Sequence, residues 1–153
     1  MASRFWGELR GQAAVVETVI MLILLIGFFG GFSAYAIAAH ARAVVIGAAT
    51  VAGRAAAIEC GQGAAAWRAD ATQLAGEALQ QGGLRLTAFA AGGAEPGAWF
   101  VGFAGTCGSG GDVSVTVDYE QLDLFPFLAP LVGQGPASGW GIALTSTAIY
   151  PVE

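Results

Sequence analysis

The sequence predicts an α+β protein. We expect a long N-terminal helix that spans a membrane once, followed by a small outer domain in which one amphipathic helix packs on a three- to four-stranded, mainly antiparallel sheet. Three observations predict this fold: an uncharged run over residues 18–39, helical spacing of apolar residues after position 66, and strict alternation of apolar and polar residues in the later strands.

The composition excludes several classes of protein. The 153 residues include 32 alanines and 24 glycines, and only 11% are charged, whereas an average soluble domain has about 25%. Six arginines, no lysine and eleven acidic residues give a net charge of -5, which leaves no basic patch to bind phosphates. We therefore expect a membrane-anchored protein with one outer domain and no nucleic-acid partner.

Residues 18–39 form the predicted transmembrane segment. As a helix this run is about 33 Å long, close to the roughly 30 Å of a bilayer's hydrocarbon core. It is apolar on every face, whereas a helix of a soluble protein usually keeps a polar stripe. Arg4 and Arg10 precede the run, and the chain from His40 onward has four arginines and nine acidic residues. We expect the N-terminus in the cytoplasm and the outer domain outside.

Helical character continues beyond this segment, because residues 40–59 contain no proline and many alanines. A helix from about Gln12 to Glu59 would be roughly 70 Å long, and its second half would project from the bilayer as a stalk. Gly27 and Gly31 have the GxxxG spacing that lets two membrane helices approach closely. We expect these two glycines at a helix-packing surface.

The outer domain, residues 60–153, begins with a second predicted helix that ends at the pair Gly82 and Gly83. Its apolar residues recur at helical spacing: Trp67, Ala71, Leu74, Ala75, Ala78 and Leu79. The segments GLRLTAFA, AWFVGF, DVSVTVDY and GWGIALTSTAIY alternate as strands do. The sequence therefore predicts a helix packed on three or four strands.

An apolar connection, residues 124–132, lies between the last two predicted strands. One interpretation is a lid or short helical turn that closes an edge of the small core. The other is an exposed patch that contacts a neighbour or the membrane surface. The patch residues are Phe125, Phe127, Leu128 and Leu131. The sequence leaves both interpretations open.

Two cysteines, Cys60 and Cys107, lie in the outer part of the chain. An even number of cysteines beyond a membrane segment indicates a disulfide, and two separated cysteines with one histidine do not make a tetrahedral metal site. His40 is the only histidine and lies at the end of the predicted span, so a nucleophile has no base to pair with. We expect no enzymatic activity, no catalytic residue, no metal and no cofactor.

Glu17 is the polar residue that stands out, because it directly precedes the apolar run. A carboxylate at the centre of a bilayer costs roughly 2.5 to 3.5 kcal/mol on insertion scales, and less near the boundary. A partner cation or access to water is therefore expected at this position.

The N-terminal sequence RGQAAVVE at residues 10–17, the apolar helix, the sequence GRAAA at 53–57 and the closing strands resemble the TadE-like pseudopilins of tight-adherence (Flp-type) pili. The resemblance implies a pilin-like fold and cleavage after Gly11 by a prepilin peptidase, so that Gln12 becomes the new N-terminus. Residues 1–11 would be the leader, 12–59 the long helix and 60–153 the outer domain.

The same resemblance implies the partners, the location and a role for Glu17. The partners would be the prepilin peptidase, other pilin or pseudopilin subunits, the inner-membrane pilus assembly platform and membrane lipid. The protein would lie in the cytoplasmic membrane and, after processing, in an extracellular pilus. Glu17 would pair with the amino terminus of a neighbouring subunit. In the family the glutamate is usually the fifth residue after the cut, and here it is the sixth counting from Gln12.

Two other interpretations stay open. The sequence Ser33-Ala34-Tyr35-Ala36 contains an A-x-A site after an apolar stretch, as in a secretory signal peptide, and cleavage there would release a small secreted domain. Alternatively, the protein is an uncleaved single-span scaffold of an envelope machine, which would retain Met1 and stay in the membrane.

Overall fold

Two helices followed by four strands make up the fold. The computed structural model describes residues 2–89, 96–107, 110–122 and 141–152, with side chains from residue 15 onward except at positions 122 and 141. The elements in chain order are α1 (Ala2–Gly61), α2 (Trp67–Gln81), β1 (Ala88–Phe89), β2 (Ala98–Gly105), β3 (Asp112–Leu122) and β4 (Gly141–Pro151). The α+β class matches the prediction.

Helix α1 is continuous over 60 residues, which corresponds to about 90 Å. It contains no proline, and its many alanines are the best helix formers. The helix is longer than predicted at both ends. Every large apolar side chain from Val15 to Ile37 is exposed, so this part of α1 stands clear of the domain. By length and composition α1 is able to cross a membrane.

The outer part of α1 is the central element of the domain rather than a free stalk. Its buried face packs across β3 and β4 and consists almost entirely of alanines: Ala41, Val45, Ala48, Ala49, Ala52 and Ala56. Small side chains on a helix allow its backbone to approach the sheet closely. The residues predicted as a stalk are therefore also part of the core of the domain.

Helix α2 has the predicted start and ends as predicted at the two glycines, but it packs on a different partner. It runs back along α1 and contacts the sheet mainly at β2, where the indole of Trp99 lies against Gly76. At its first residue, the ring of Trp67 meets that of Phe103 edge to face, with ring centres 5.3 Å apart. The sheet is thus covered chiefly by α1, because α1 presents the longer buried face.

The sheet has the order β1-β2-β3-β4. Strands β2, β3 and β4 are antiparallel, as predicted, whereas β1 pairs in parallel with β2, so the sheet is mixed. The predicted alternation of β3 is confirmed, because its helix-facing residues are buried: Val113, Val115, Val117 and Tyr119. On the opposite face β3 carries Ser114, Thr116 and Asp118, and the hydroxyls of Thr116 and Thr147 lie 2.9 Å apart across β3 and β4.

Strand β1 is shorter than the predicted strand over residues 83–90. The backbone before it is fixed instead by a turn around Gly97, whose positive φ of 87° favours glycine. The amide of Thr87 donates to the carbonyl oxygen of Gly97 at 2.9 Å, and the Thr87 hydroxyl donates to that of Pro96 at 3.0 Å. These bonds join Thr87 to the segment that leads into β2, in the same register as the pairing of β1 with β2.

Candidate assembly site

The apolar segment of α1 contains most of the large exposed hydrophobic side chains of the described residues. From position 15 to position 37 it shows valine, isoleucine, leucine, methionine and phenylalanine side chains around the whole helix, including Phe28 at 71% exposure. Soluble monomers rarely expose continuous apolar areas of this size, which normally contact lipid or another protein. This segment therefore has the exposure and composition that are typical of a surface in contact with lipid or with another protein.

The residues predicted to act at the N-terminus are only partly described. Gly11 and Gln12 lie within α1, and their side chains are outside the described residues. Glu17 is exposed and forms no ion pair with any residue that the structure describes. A cation for this carboxylate would have to come from elsewhere.

The two glycines predicted to pack helices lie on one side of α1, one turn apart. A Cβ atom added at Gly27 would meet no other atom of the described chain within 4 Å. Gly31 lies in the same exposed segment. The described part of the chain thus leaves the Gly27 position uncovered.

Three large apolar side chains on the outer half of α1 are also exposed, at positions that its buried alanines do not occupy. Ile46, Val51 and Ile58 are each about half exposed. Beside them, α1 and the end of β4 enclose a groove of about 480 Å³. Its lining residues are Arg54, Ala57, Ile58, Gly61, Gln62, Tyr150 and Pro151. The exposure of these three side chains was not predicted, although three large apolar residues among small ones are a visible signal in the sequence.

The predicted disulfide is present. Cys60, at the end of α1, is bonded to Cys107, just after β2, and their Cα atoms are 5.2 Å apart. The bond connects residues 47 positions apart in sequence. It ties the far end of the long helix to the connection between β2 and β3.

Two glutamates of the domain are poorly solvated, which the sequence did not indicate. Glu120 is 8% exposed, and its Oε1 atom has no hydrogen-bond partner, so burial raises the pKa of this carboxyl. Burial also raises the pKa of Glu59, and the nearby carboxyl of Asp70 raises it further. Both glutamates therefore favour the protonated form more than an exposed carboxyl does.

The other end of the domain lies against the middle of α1. Nε2 of His40 donates to the carbonyl oxygen of Gly82 at 3.0 Å, just beyond the end of α2. The hydroxyl of Tyr119 donates to the carbonyl oxygen of Arg85 at 3.3 Å, and burial raises the pKa of that hydroxyl. His40 thus has a structural contact in the fold.

Within the described residues, no group of three or more His, Cys, Asp or Glu side chains lies close enough together to hold a metal ion. The apolar connection 124–132, with its predicted patch, lies outside the described residues.

Comparison with protein-family models, with curated proteins and with solved structures finds no match to this chain. What the protein does is therefore inferred from its own residues, chiefly those of α1.

Proposed function

We propose that this chain is a minor pilin or pseudopilin that is cut by a prepilin peptidase and then takes part in the assembly of a tight-adherence, type IV-like pilus through α1. One observation carries the proposal. A single unbroken helix supplies both an exposed apolar segment of membrane-spanning length and the central element of a small α+β domain.

Before assembly, the apolar segment of α1 lies in the cytoplasmic membrane, with the N-terminus inside and the domain outside. Transfer of its exposed side chains from water to lipid is favourable by about 25 cal/mol for each Å² of apolar surface. The disulfide between Cys60 and Cys107 supports an outer location for the domain, since disulfides persist in oxidising compartments.

During assembly, lipid around α1 is exchanged for the helices of other pilin subunits. Gly27 and Gly31 allow a neighbouring helix to approach closely. The exposed Ile46, Val51 and Ile58 extend the apolar contact surface beyond the membrane. These exposed apolar side chains support a role of α1 in contacts between subunits, which would be recruited at the inner-membrane assembly platform.

Glu17 is assigned the pairing role in this proposal. After cleavage behind Gly11, the α-amino group of Gln12 in a neighbouring subunit provides a cation for the carboxylate. The exposed position of Glu17 and its lack of an ion-pair partner in the described chain support this assignment. Pairing offsets the cost of removing the carboxylate from water.

The mature N-terminus tests the proposal. The chain is expressed in its native host, and the N-terminus is determined by mass spectrometry, with Gly11→Val as the control. A start at Gln12 that Gly11→Val abolishes supports processing by a prepilin peptidase. An intact start at Met1 or Ala2 contradicts it and favours an uncleaved scaffold of an envelope machine.

A start near Ile37 also contradicts the proposal and favours a small secreted domain. Such a cut is compatible with the fold, because the buried face of α1 begins at Ala41. The three outcomes are therefore separated by the mass of one N-terminal peptide.

A further inference from the structure

The domain has a basal end, which we define as residues 82–89, Pro96 and Gly97, together with Arg42 of α1 and with Glu120 of β3, whose carbonyl oxygen accepts a hydrogen bond from the amide of Gly97. The hydrogen bond from His40 to the Gly82 carbonyl places this end level with the middle of α1. Gly82 also faces Val44 so closely that a Cβ atom at position 82 would overlap the valine side chain. The basal end is therefore fixed at the height of residues 40–44 along the helix axis.

The predicted span ends at that same height. Its last residue is at position 39, and α1 continues through His40 without a break. The sheet and α2 lie on the alanine face of α1, so the domain extends to one side of the helix axis. If α1 spans the bilayer, as the proposed function requires, the basal end overhangs the lipid surface next to the helix.

The basal end carries exposed side chains that suit a lipid headgroup layer. Arg85 and Phe89 are exposed on it, and Arg42 is exposed on α1, about 3 Å further along the axis than His40. Arginine binds phosphate oxygens through several N–H groups, and aromatic rings collect at the membrane–water interface. Two arginines flank the helix at headgroup height.

We propose that the basal end is a lipid-binding surface on which Arg42 and Arg85 bind headgroup phosphates and Phe89 enters the interface. Its partner is a bilayer that contains anionic phospholipid. The inference rests on the proposed function only in requiring that α1 spans the membrane.

The distribution of described carboxylates favours this orientation. Glu59 and Asp70 lie close to each other, Glu59 beside the disulfide, and Asp112 pairs with Pro151 at the same far end of the sheet. At the basal end the described carboxylate is that of Glu120, which is buried. Glu77 and Asp118 lie between the two ends, and the acidic residues at 95 and 123 are outside the described residues. Among the described residues, the exposed charged side chains of the basal end are thus those of Arg42 and Arg85.

The test places one fluorescent label at matched glutamines of the full-length chain. Gln81 lies at the basal end of α2 and Gln62 just beyond α1 at the far end, and both are exposed. Gln81→Cys and Gln62→Cys are each labelled with an NBD group, because both native cysteines are held in the disulfide. A third label, at Phe29→Cys, reports on the span.

Each labelled protein is reconstituted in vesicles of phosphatidylcholine, with and without phosphatidylglycerol, that carry a nitroxide on a fraction of their headgroups. We expect the label at position 81 to be quenched, more strongly with phosphatidylglycerol, and the label at position 62 to stay unquenched. Arg42→Gln with Arg85→Gln should weaken the phosphatidylglycerol-dependent contact by about fivefold for each arginine. The matched pair Arg54→Gln with Arg68→Gln, which changes the net charge equally, should not.

Three results overturn the inference. If the label at 81 is quenched no more than that at 62, while the label at 29 is in lipid, the basal surface is refuted and the span stands. If the label at 29 is also in water, the span fails, and the proposed function fails with it. If both arginine pairs have equal effects, the response follows net charge and not the basal end.

Discussion

Gly53 of α1 lies directly beneath the ring of Tyr150 in β4. A Cβ atom at position 53 would stand 2.9 Å from two carbon atoms of that ring and 3.3 Å from the Cβ of Ala148. The long helix therefore approaches the edge strand at a position where a side chain larger than hydrogen would force the ring to move.

This contact predicts opposite outcomes for two glycines of the same helix. Gly47 has nothing within 4 Å of an added Cβ, so Gly47→Ala should raise the free energy of unfolding by up to about 1 kcal/mol through helix propensity. Gly53→Ala should not raise the free energy of unfolding, because the added methyl group overpacks the contact with Tyr150, and overpacking costs typically about 1 to 3 kcal/mol. Denaturant unfolding in detergent micelles, followed by circular dichroism, measures both. Equal stabilisation by the two alanines would show that the contact with Tyr150 carries no cost.

The disulfide predicts a large loss of stability on its removal. For residues 47 positions apart, the chain-entropy model gives about 4 kcal/mol from restriction of the unfolded chain. Cys60→Ala with Cys107→Ala should lower the free energy of unfolding by roughly that amount. Non-reducing peptide mapping of the wild type should recover the linked pair. Two free thiols in the protein from its native host would remove the argument for an oxidising compartment.

Glu120 predicts a dependence of stability on pH. Because burial raises its pKa, the folded protein holds this proton at a pH where the unfolded chain has released it. The free energy of unfolding should therefore fall as pH rises from about 4, the ordinary carboxyl pKa, through the raised value. Glu120→Gln should flatten this part of the pH profile and stabilise the protein at neutral pH.

A matched control for Glu120 is available on α2. Glu77 is exposed and accepts a hydrogen bond from Gln73 at 2.8 Å. Glu77→Gln removes one exposed carboxylate and leaves Glu120 in place, so the fall in stability that Glu120 causes should persist in this variant. If both variants flatten the profile equally, burial of Glu120 is not its cause.

The pairing role of Glu17 predicts a defect in assembly without a defect in processing. Glu17→Ala should still be cut after Gly11, because the carboxylate lies beyond the leader, but should no longer copurify with partner subunits from the membrane. Glu17→Asp keeps the charge and should retain part of the interaction. Unchanged copurification of the alanine variant would show that pairing with an amino terminus does not operate here.

Several elements could be predicted from the sequence because their side chains differ strongly in polarity. In β3, valines alternate with serine, threonine and aspartate, so the buried face is visible in the sequence. Helix α2 ends as predicted because two glycines follow it, and Gly83 has a positive φ of 80°. The disulfide followed from the count of cysteines.

The role of the outer part of α1 could not be predicted in the same way. Its buried face is built mainly of alanines, while the larger Ile46 and Val51 are exposed. A hydropathy pattern on such a helix gives the wrong face, because the criterion for burial is small volume rather than apolar character. The parallel pairing of β1 is also set by a turn at Gly97 and not by alternation.

Helix α1 has no break between its membrane segment and its outer part. The direction in which the domain points around the helix axis is therefore fixed relative to the side chains of the membrane segment. Each residue of an α-helix advances the azimuth by about 100° and the height by about 1.5 Å. One residue inserted between Glu17 and His40 would therefore swing the carboxylate about 100° relative to the domain. If a neighbouring subunit bound the membrane segment and rotated it about the helix axis, the domain would rotate with it, up to the end that holds the disulfide between Cys60 and Cys107.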